Sequence, residues 1–229
     1  MRLLLATRNE HKRRELARLL PGIDVDVLPD HVILPPEHGH TFEENALEKA
    51  RAAARSTGSC AIADDSGIEA EALSGAPGVR SARYAGESAT DAENLAKLLR
   101  EAPAGSRLRY RCALAFADPH RDLEMIFTGS CTGTLAGEPR GGGGFGYDPA
   151  FVPDDQPSGD LGGASGIGEA SGALTPGVVM HPEDSPERPE ARLRTMAQLS
   201  DAEKDAISHR GRAARALLSW LSSEQVDRR

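Results

Sequence analysis

The sequence has few aromatic residues. Phe, Trp and Tyr make up 4% of its 229 residues, so an aromatic side chain in a loop carries unusual weight. It also lacks any run of about 18 apolar residues, which excludes a membrane-spanning helix. A secretory signal is not expected either. Met1-Arg2-Leu3-Leu4-Leu5 opens like one, but the charged stretch from Arg8 to Glu15 stops it before an apolar core forms. Cysteines are scarce: Cys60, Cys112 and Cys131 are odd in number and far apart, which excludes a disulfide frame or a CxxC metal site. Each sits in an apolar, strand-like run, so buried free thiols and a reducing, cytoplasmic setting are expected. Positive charge is the minority sign, with 27 Lys and Arg against 35 Asp and Glu, a net charge of −8. That balance disfavours a broad nucleic-acid footprint, and any phosphate must be held by a local basic site.

Short apolar runs and amphipathic stretches alternate along the chain. Leu3 to Ala6 reads as a strand, followed by a helix burying Leu16, Leu19 and Leu20, and Val25 to Leu28 as a second strand. Thr41, Thr90 and Ser200 each stand three residues before a Glu, the spacing of a capping box, so each opens a helix, the first running to about Ser56. Cys60 to Ala63 is a strand expected to stop at Asp64-Asp65-Ser66-Gly67, and Gly75 to Gly86 reads as a loop. Leu108 to Phe116 alternates as a long strand does, and Asp118-Pro119-His120 turns it into a hairpin with Leu123 to Thr128. A further strand is expected at Cys131 to Leu135. These elements make an α/β chain with a mixed sheet. Residues 154–194 stand apart, with seven glycines, five prolines and no aromatic residue, and are expected to be a mobile insertion within a single domain spanning residues 1–229.

Five stretches could carry chemistry. Thr7-Arg8-Asn9-Glu10-His11-Lys12 lies between a strand and a helix, where free N–H groups and the helix dipole suit a phosphate. Asp64-Asp65-Ser66 follows an apolar strand, and neighbouring strand residues face opposite ways, so one carboxylate should enter a cleft and the other be structural. Oxygen ligands at a strand end suit magnesium. Glu37-His38-Gly39-His40 offers either a second oxygen ligand in Glu37 or a transition-metal site on the two histidines, although no HExxH spacing supports the latter. A glycine run ends in Phe145-Gly146-Tyr147-Asp148, where an aromatic ring could stack on a base and a carboxylate read its N–H edge. Lys204 and Ser208-His209-Arg210 would face different directions on one helix, and a break with Ser208 as a second N-cap would bring them together.

Taken in order, these motifs resemble the inosine triphosphate pyrophosphatase family, also called XTP/dITP diphosphatases, in its bacterial branch. The matching stretches are Leu5 to Asn9 with Lys12, Thr41 to Ala46 with Lys49-Ala50, Ala61 to Gly67, Gly75 to Tyr84, Gly144 to Pro149 and Glu203 to Gly211. The resemblance implies a two-lobed fold around a long, twisted mixed sheet, with the site in a cleft between lobes, and a homodimer. It implies a magnesium-dependent hydrolase that cleaves ITP, dITP or XTP to the monophosphate and pyrophosphate. By motif, Thr7, Arg8, Asn9, Glu10, His11 and Lys12 would hold the triphosphate, with Lys49 adding charge. Asp65 would be the general base and, with Glu37, bind Mg2+, and Ser66 would touch substrate. Phe145, Gly146, Tyr147 and Asp148 would wall the purine, and Lys204, Ser208, His209 and Arg210 would reach its edge. A substitution at Arg210 is then expected to affect ITP use far more than stability. The rival readings are a related Maf-type pyrophosphatase, disfavoured by Ser208-His209-Arg210, a non-hydrolytic nucleotide-binding module, and a transition-metal hydrolase using His38 and His40.

Overall fold

The computed structural model describes residues 2–156 and 193–226. Most of the 154–194 stretch lies outside the described residues. Six strands form one sheet in the order β2-β1-β3-β4-β5-β6. They are β1 (Arg2–Leu5), β2 (Asp24–Val27), β3 (Ala61–Ala70), β4 (Arg107–Asp118), β5 (Leu123–Leu135) and β6 (Phe151–Pro153). β1 runs parallel to β2 and β3, and the remaining neighbours are antiparallel. The helices are α1 (Glu10–Leu19), α2 (Phe42–Thr57), α3 (Asp91–Glu101), α4 (Asp201–Ile207) and α5 (His209–Val226).

The helix starts follow from side-chain chemistry. Thr41, Thr90 and Ser200 each accept from the backbone N–H three residues on, and Glu44, Glu93 and Glu203 close the reciprocal bonds. Each such cap contributes about 1 kcal/mol. Helix α2 ends at Gly58, whose φ of 67° is a left-handed cap that a Cβ would disfavour.

Two strand expectations are corrected. β3 does not stop at Asp64 but runs on through Ser66 and Gly67 to Ala70, paired with β4 along its whole length. The two segments 123–128 and 131–135 are one strand, β5, paired to β4 from Leu123 to Thr134. In both places a partner strand satisfies the backbone groups, and this outweighs the turn preference of Asp, Ser and Gly. The 75–86 stretch is not a plain loop either, since Gly78–Arg83 coils into a 3-10 helix. Cys60 lies just before β3 and is only half-buried, whereas Cys112 and Cys131 are buried free thiols.

The core divides along these long strands. At one end, α1 and α5 cover one face of the sheet with Leu3, Leu5, Leu16, Leu114 and Leu217, while α2 covers the other with Ala46, Ala50, Ala61, Ala63 and Ala115. At the far end a separate core gathers Ile68, Leu98, Leu108, Phe151 and Met196. β3, β4 and β5 thus run through both lobes. Gly129 on β5 fixes how closely α5 approaches, because a Cβ there would lie 2.1 Å from the His209 carbonyl oxygen and 2.7 Å from the Ala213 nitrogen.

Candidate active site

A cavity of about 270 Å3 opens where the lobes meet, between the start of α1, the middle of β3, the 145–148 loop and the α4–α5 junction. Thr7, Arg8, Asn9 and Lys12 line one end of it. Asn9 caps α1 by accepting from the backbone N–H groups of His11 (2.9 Å) and Lys12 (3.1 Å), and its own N–H donates to Thr7 Oγ1. Arg8 lines the cavity, yet its guanidinium is turned to the 28–32 segment, donating to the carbonyls of Leu28, Pro29 and Val32. Glu10 is exposed and pairs with Arg13, and His11 stacks on Phe145 with ring centroids 5.0 Å apart; neither is among the residues lining the cavity.

Strand parity separates the two aspartates. Ile62, Asp64 and Ser66 face α1 and α5, whereas Ala61, Ala63 and Asp65 face α2. Asp64 is fully buried, with Lys12 Nζ at 2.6 Å and Arg210 Nε at 3.0 Å. Burial pushes its carboxyl up, but Arg210 and Lys12 outweigh this and hold it far below the usual carboxylate range. Asp65 lines the cavity and accepts from Asn45 Nδ2 at 2.9 Å. Its proton affinity is raised: burial and the Glu37 charge lift it more than Lys49 and Lys12 lower it. A carboxylate whose proton affinity is raised and which opens into a cleft is suited to general-base work.

Lys49 reaches from α2 to Glu37, to the Asp64 carbonyl (2.8 Å) and to Asp65 Oδ1 (3.6 Å). Glu37 also meets Arg83, which donates to its carbonyl at 2.8 Å. Burial raises Glu37, but Lys49, Lys12 and Arg83 bring it below its ordinary value. Two carboxylates therefore share one ammonium group at the cavity wall. His38 and His40 are exposed, and among the described residues no group of three or more His, Cys, Asp or Glu side chains could hold a metal.

The other end of the cavity is built by a loop and a helix break. Gly144 takes φ of 67°, and the loop folds so closely over Asp148 that a Cβ on Gly144 would lie 2.1 Å from its Oδ2. Asp148 accepts from the Phe145 N–H, Tyr110 Oη and Lys204 Nζ. Tyr147 Oη donates to the Ser81 carbonyl, and the Gly146 N–H to Asp91, so the loop is tied down on both sides. α4 ends at Ser208, whose Oγ accepts from the Gly211 N–H and starts α5, which places Lys204, His209 and Arg210 on the same cavity wall. Ser208 itself is buried as this cap and is not among the residues lining the cavity. His209 stacks on Tyr110 at 4.5 Å, and burial together with the charges of Arg210 and Lys204 keeps the imidazole neutral. Its Nδ1 is buried without a hydrogen-bond partner.

Glu15, absent from the motif reading, ties these parts together. It is buried on the inner face of α1 and binds both Lys204 (2.5 Å) and Arg210. Its position three residues after Lys12, beside Leu16 and Leu19, is the signal that places a charge on the buried face. Asn45, Asp91 and Tyr110 were also missed, because each acts through partners distant in sequence.

Against models of known families, the sequence matches the Ham1 family over residues 3–164 and 187–220. The chain belongs to the Ham1 family. Among curated relatives, a dITP/XTP pyrophosphatase of Mycolicibacterium paratuberculosis is 42% identical over 96% of each chain. One from Geobacter sulfurreducens is 39% identical over 99% of each. Among solved structures, a HAM1 protein from Coxiella burnetii superposes with a TM-score of 0.72 at 35% identity, covering 97% of this chain and 99% of that one. The Ham1 chain thus has the mixed, two-lobed α/β architecture expected from its motifs, and the unmatched residues 165–186 fall within the 154–194 stretch.

Proposed function

We propose that this Ham1-family enzyme is a nucleoside triphosphate pyrophosphatase that converts ITP, dITP and XTP to the monophosphate and pyrophosphate, removing these non-standard purines from the nucleotide pool. One observation carries the reading. Asp65, with raised proton affinity, opens into a cleft with lysines at one end and Phe145, Lys204, His209 and Arg210 at the other. The curated relatives named dITP/XTP pyrophosphatase support the same activity.

In this reading the N-terminus of α1, with Lys12, receives the triphosphate. Asp65 orients a water in line with the α-phosphate and takes its proton as pyrophosphate departs. Lys12 and Lys49 stabilise the charge that develops on the phosphate oxygens. Glu37 and Asp65 would hold magnesium, since two carboxylates already sharing a cation offer the oxygen-only donors that a hard ion completes with water and phosphate. Bound there, it would supply charge neutralisation to the triphosphate.

Phe145 offers the purine an aromatic face. Hypoxanthine and xanthine present an O6 acceptor where adenine presents an amine. Arg210 and Lys204 are donors only, and their carboxylate bonds leave N–H groups over to meet O6, while an adenine amine gains no acceptor from them. A homodimer working in the cytoplasm belongs to the same reading, and light scattering of the purified chain tests the assembly. The activity is tested with ITP, XTP, dITP, GTP and ATP and magnesium: pyrophosphate should be the first product from ITP, XTP and dITP. Stepwise release of orthophosphate would overturn the reading.

A further inference from the structure

We propose that Lys49 is the resident counter-cation of the Glu37–Asp65 pair and must leave it before a divalent metal can enter. The inference rests on the assignment of that pair as the metal site. Among the described residues, the Lys49 ammonium stands within ion-pair distance of both carboxylates, touching Glu37 Oε1 and lying 3.6 Å from Asp65 Oδ1, while Lys12 acts on both from farther off. The far sides of the two groups are already taken. Asn45 Nδ2 holds Asp65 Oδ2, and Arg83 lies against Glu37 Oε2. Asn45 is itself fixed by the Gly39 N–H, which donates to its Oδ1 at 2.8 Å. The open sides of both carboxylates therefore converge on the position that Lys49 fills. Its side chain is 8% exposed there, so water screens the charge poorly.

A divalent ion on the same oxygens would sit against the ammonium, and the repulsion at that distance is large where both Lys49 and Asp65 are buried. Lys49 is able to yield. Its stem is flexible, and it already lines the cavity into which it would swing. Phosphate oxygens arriving in that cavity would take over its charge. Nucleotide and metal then favour each other's binding: the triphosphate draws Lys49 off the pair and opens it to the ion. By linkage, the ion strengthens nucleotide binding by the same factor. Without nucleotide, the ammonium keeps the two carboxylates compensated and metal affinity low.

The test titrates Mn2+, followed by its paramagnetic resonance signal, into the full chain and its Lys49→Met and Lys49→Arg variants, with and without α,β-methylene-ITP. Methionine keeps the stem and removes the charge, so K49M should bind Mn2+ at least about tenfold more tightly than wild type without nucleotide. The analogue should enhance Mn2+ binding by a smaller factor in K49M than in wild type, because phosphate ligation remains but no ammonium has to be displaced. K49R keeps a cation and should retain the weak metal affinity of wild type. K49M is expected to melt lower without metal, and Mn2+ should raise its Tm more than that of wild type. Affinity in K49M equal to or weaker than wild type, with Mn2+ binding intact, overturns the role of Lys49 and leaves the metal site standing. No Mn2+ binding in any form, even with the analogue, overturns the proposal and the metal site together.

Discussion

Replacing Arg210 by methionine removes a guanidinium that is fully buried and bonded to Asp64, Glu15 and Ser66. Breaking a buried ion pair by removing one partner costs about 3–5 kcal/mol, because the remaining charge is left uncompensated. Here Asp64 keeps Lys12 and Glu15 keeps Lys204, which points to the lower end, about 3 kcal/mol. For a chain of this size that lowers Tm by about 6–12 °C. The expectation that Arg210 matters far more to ITP than to stability is therefore revised, since its donors also hold two buried carboxylates, Asp64 and Glu15. The pH dependence gives a second check. Burial raises Asp64 and Glu15, but Arg210, with Lys12 or Lys204, lowers both below their ordinary values. A depressed folded pKa contributes stability that is present above the unfolded pKa, near 4, and is lost as pH falls. Without Arg210, burial lifts both carboxyls and that contribution shrinks at neutral pH. Protonation then relieves the variant first, so the Tm gap should narrow between about pH 7 and about pH 4.5. Circular dichroism melts across that range test it. A gap below about 3 °C at neutral pH, or one that widens with acid, would refute the reasoning.

Asp65→Asn should abolish pyrophosphate release while the chain stays folded, because an amide cannot take the proton; near-normal turnover in the purified variant removes Asp65 from the chemistry. Lys12→Ala should reduce kcat/KM for ITP and ATP by similar factors, since phosphates are common to both, and should lower Tm because Asp64 loses a partner. A selective loss for one base would place Lys12 elsewhere. Gly129→Ala should destabilise by about 1–3 kcal/mol, because its Cβ meets the backbone of α5 rather than a side chain that can turn away. A melt unchanged from wild type would show that α5 can shift without cost.

Much of this arrangement is legible in the sequence where local chemistry decides it. The capping boxes at Thr41, Thr90 and Ser200 mark three helix starts, and Ser208 marks the break that turns Lys204, His209 and Arg210 onto one wall. The motifs around Asn9, Asp65 and Phe145 do meet in one cavity. Elements decided by distant partners are harder to read. Asp64-Asp65-Ser66-Gly67 has the composition of a turn, and only pairing with Leu114 to Arg111 of β4 keeps it extended. Arg8 carries a free charge in sequence terms, but four carbonyls of the 28–32 segment claim its guanidinium. Glu15 looks like a solvated helix residue until Lys204 and Arg210, nearly the whole chain away, close over it.

The two adjacent aspartates have a consequence for how such a site can change over time. Asp64 and Asp65 serve opposite sides of the sheet solely because they are neighbours on one strand. A single-residue insertion or deletion upstream in β3 would exchange the two sides, presenting the cleft-facing position to Arg210 and the ion-pairing position to Lys49. Length changes in that strand are tolerable only in pairs, or in the loops outside it. Variation among descendants of this chain should therefore accumulate as substitutions within β3 and as indels elsewhere, which makes that strand a fixed ruler for aligning distant relatives.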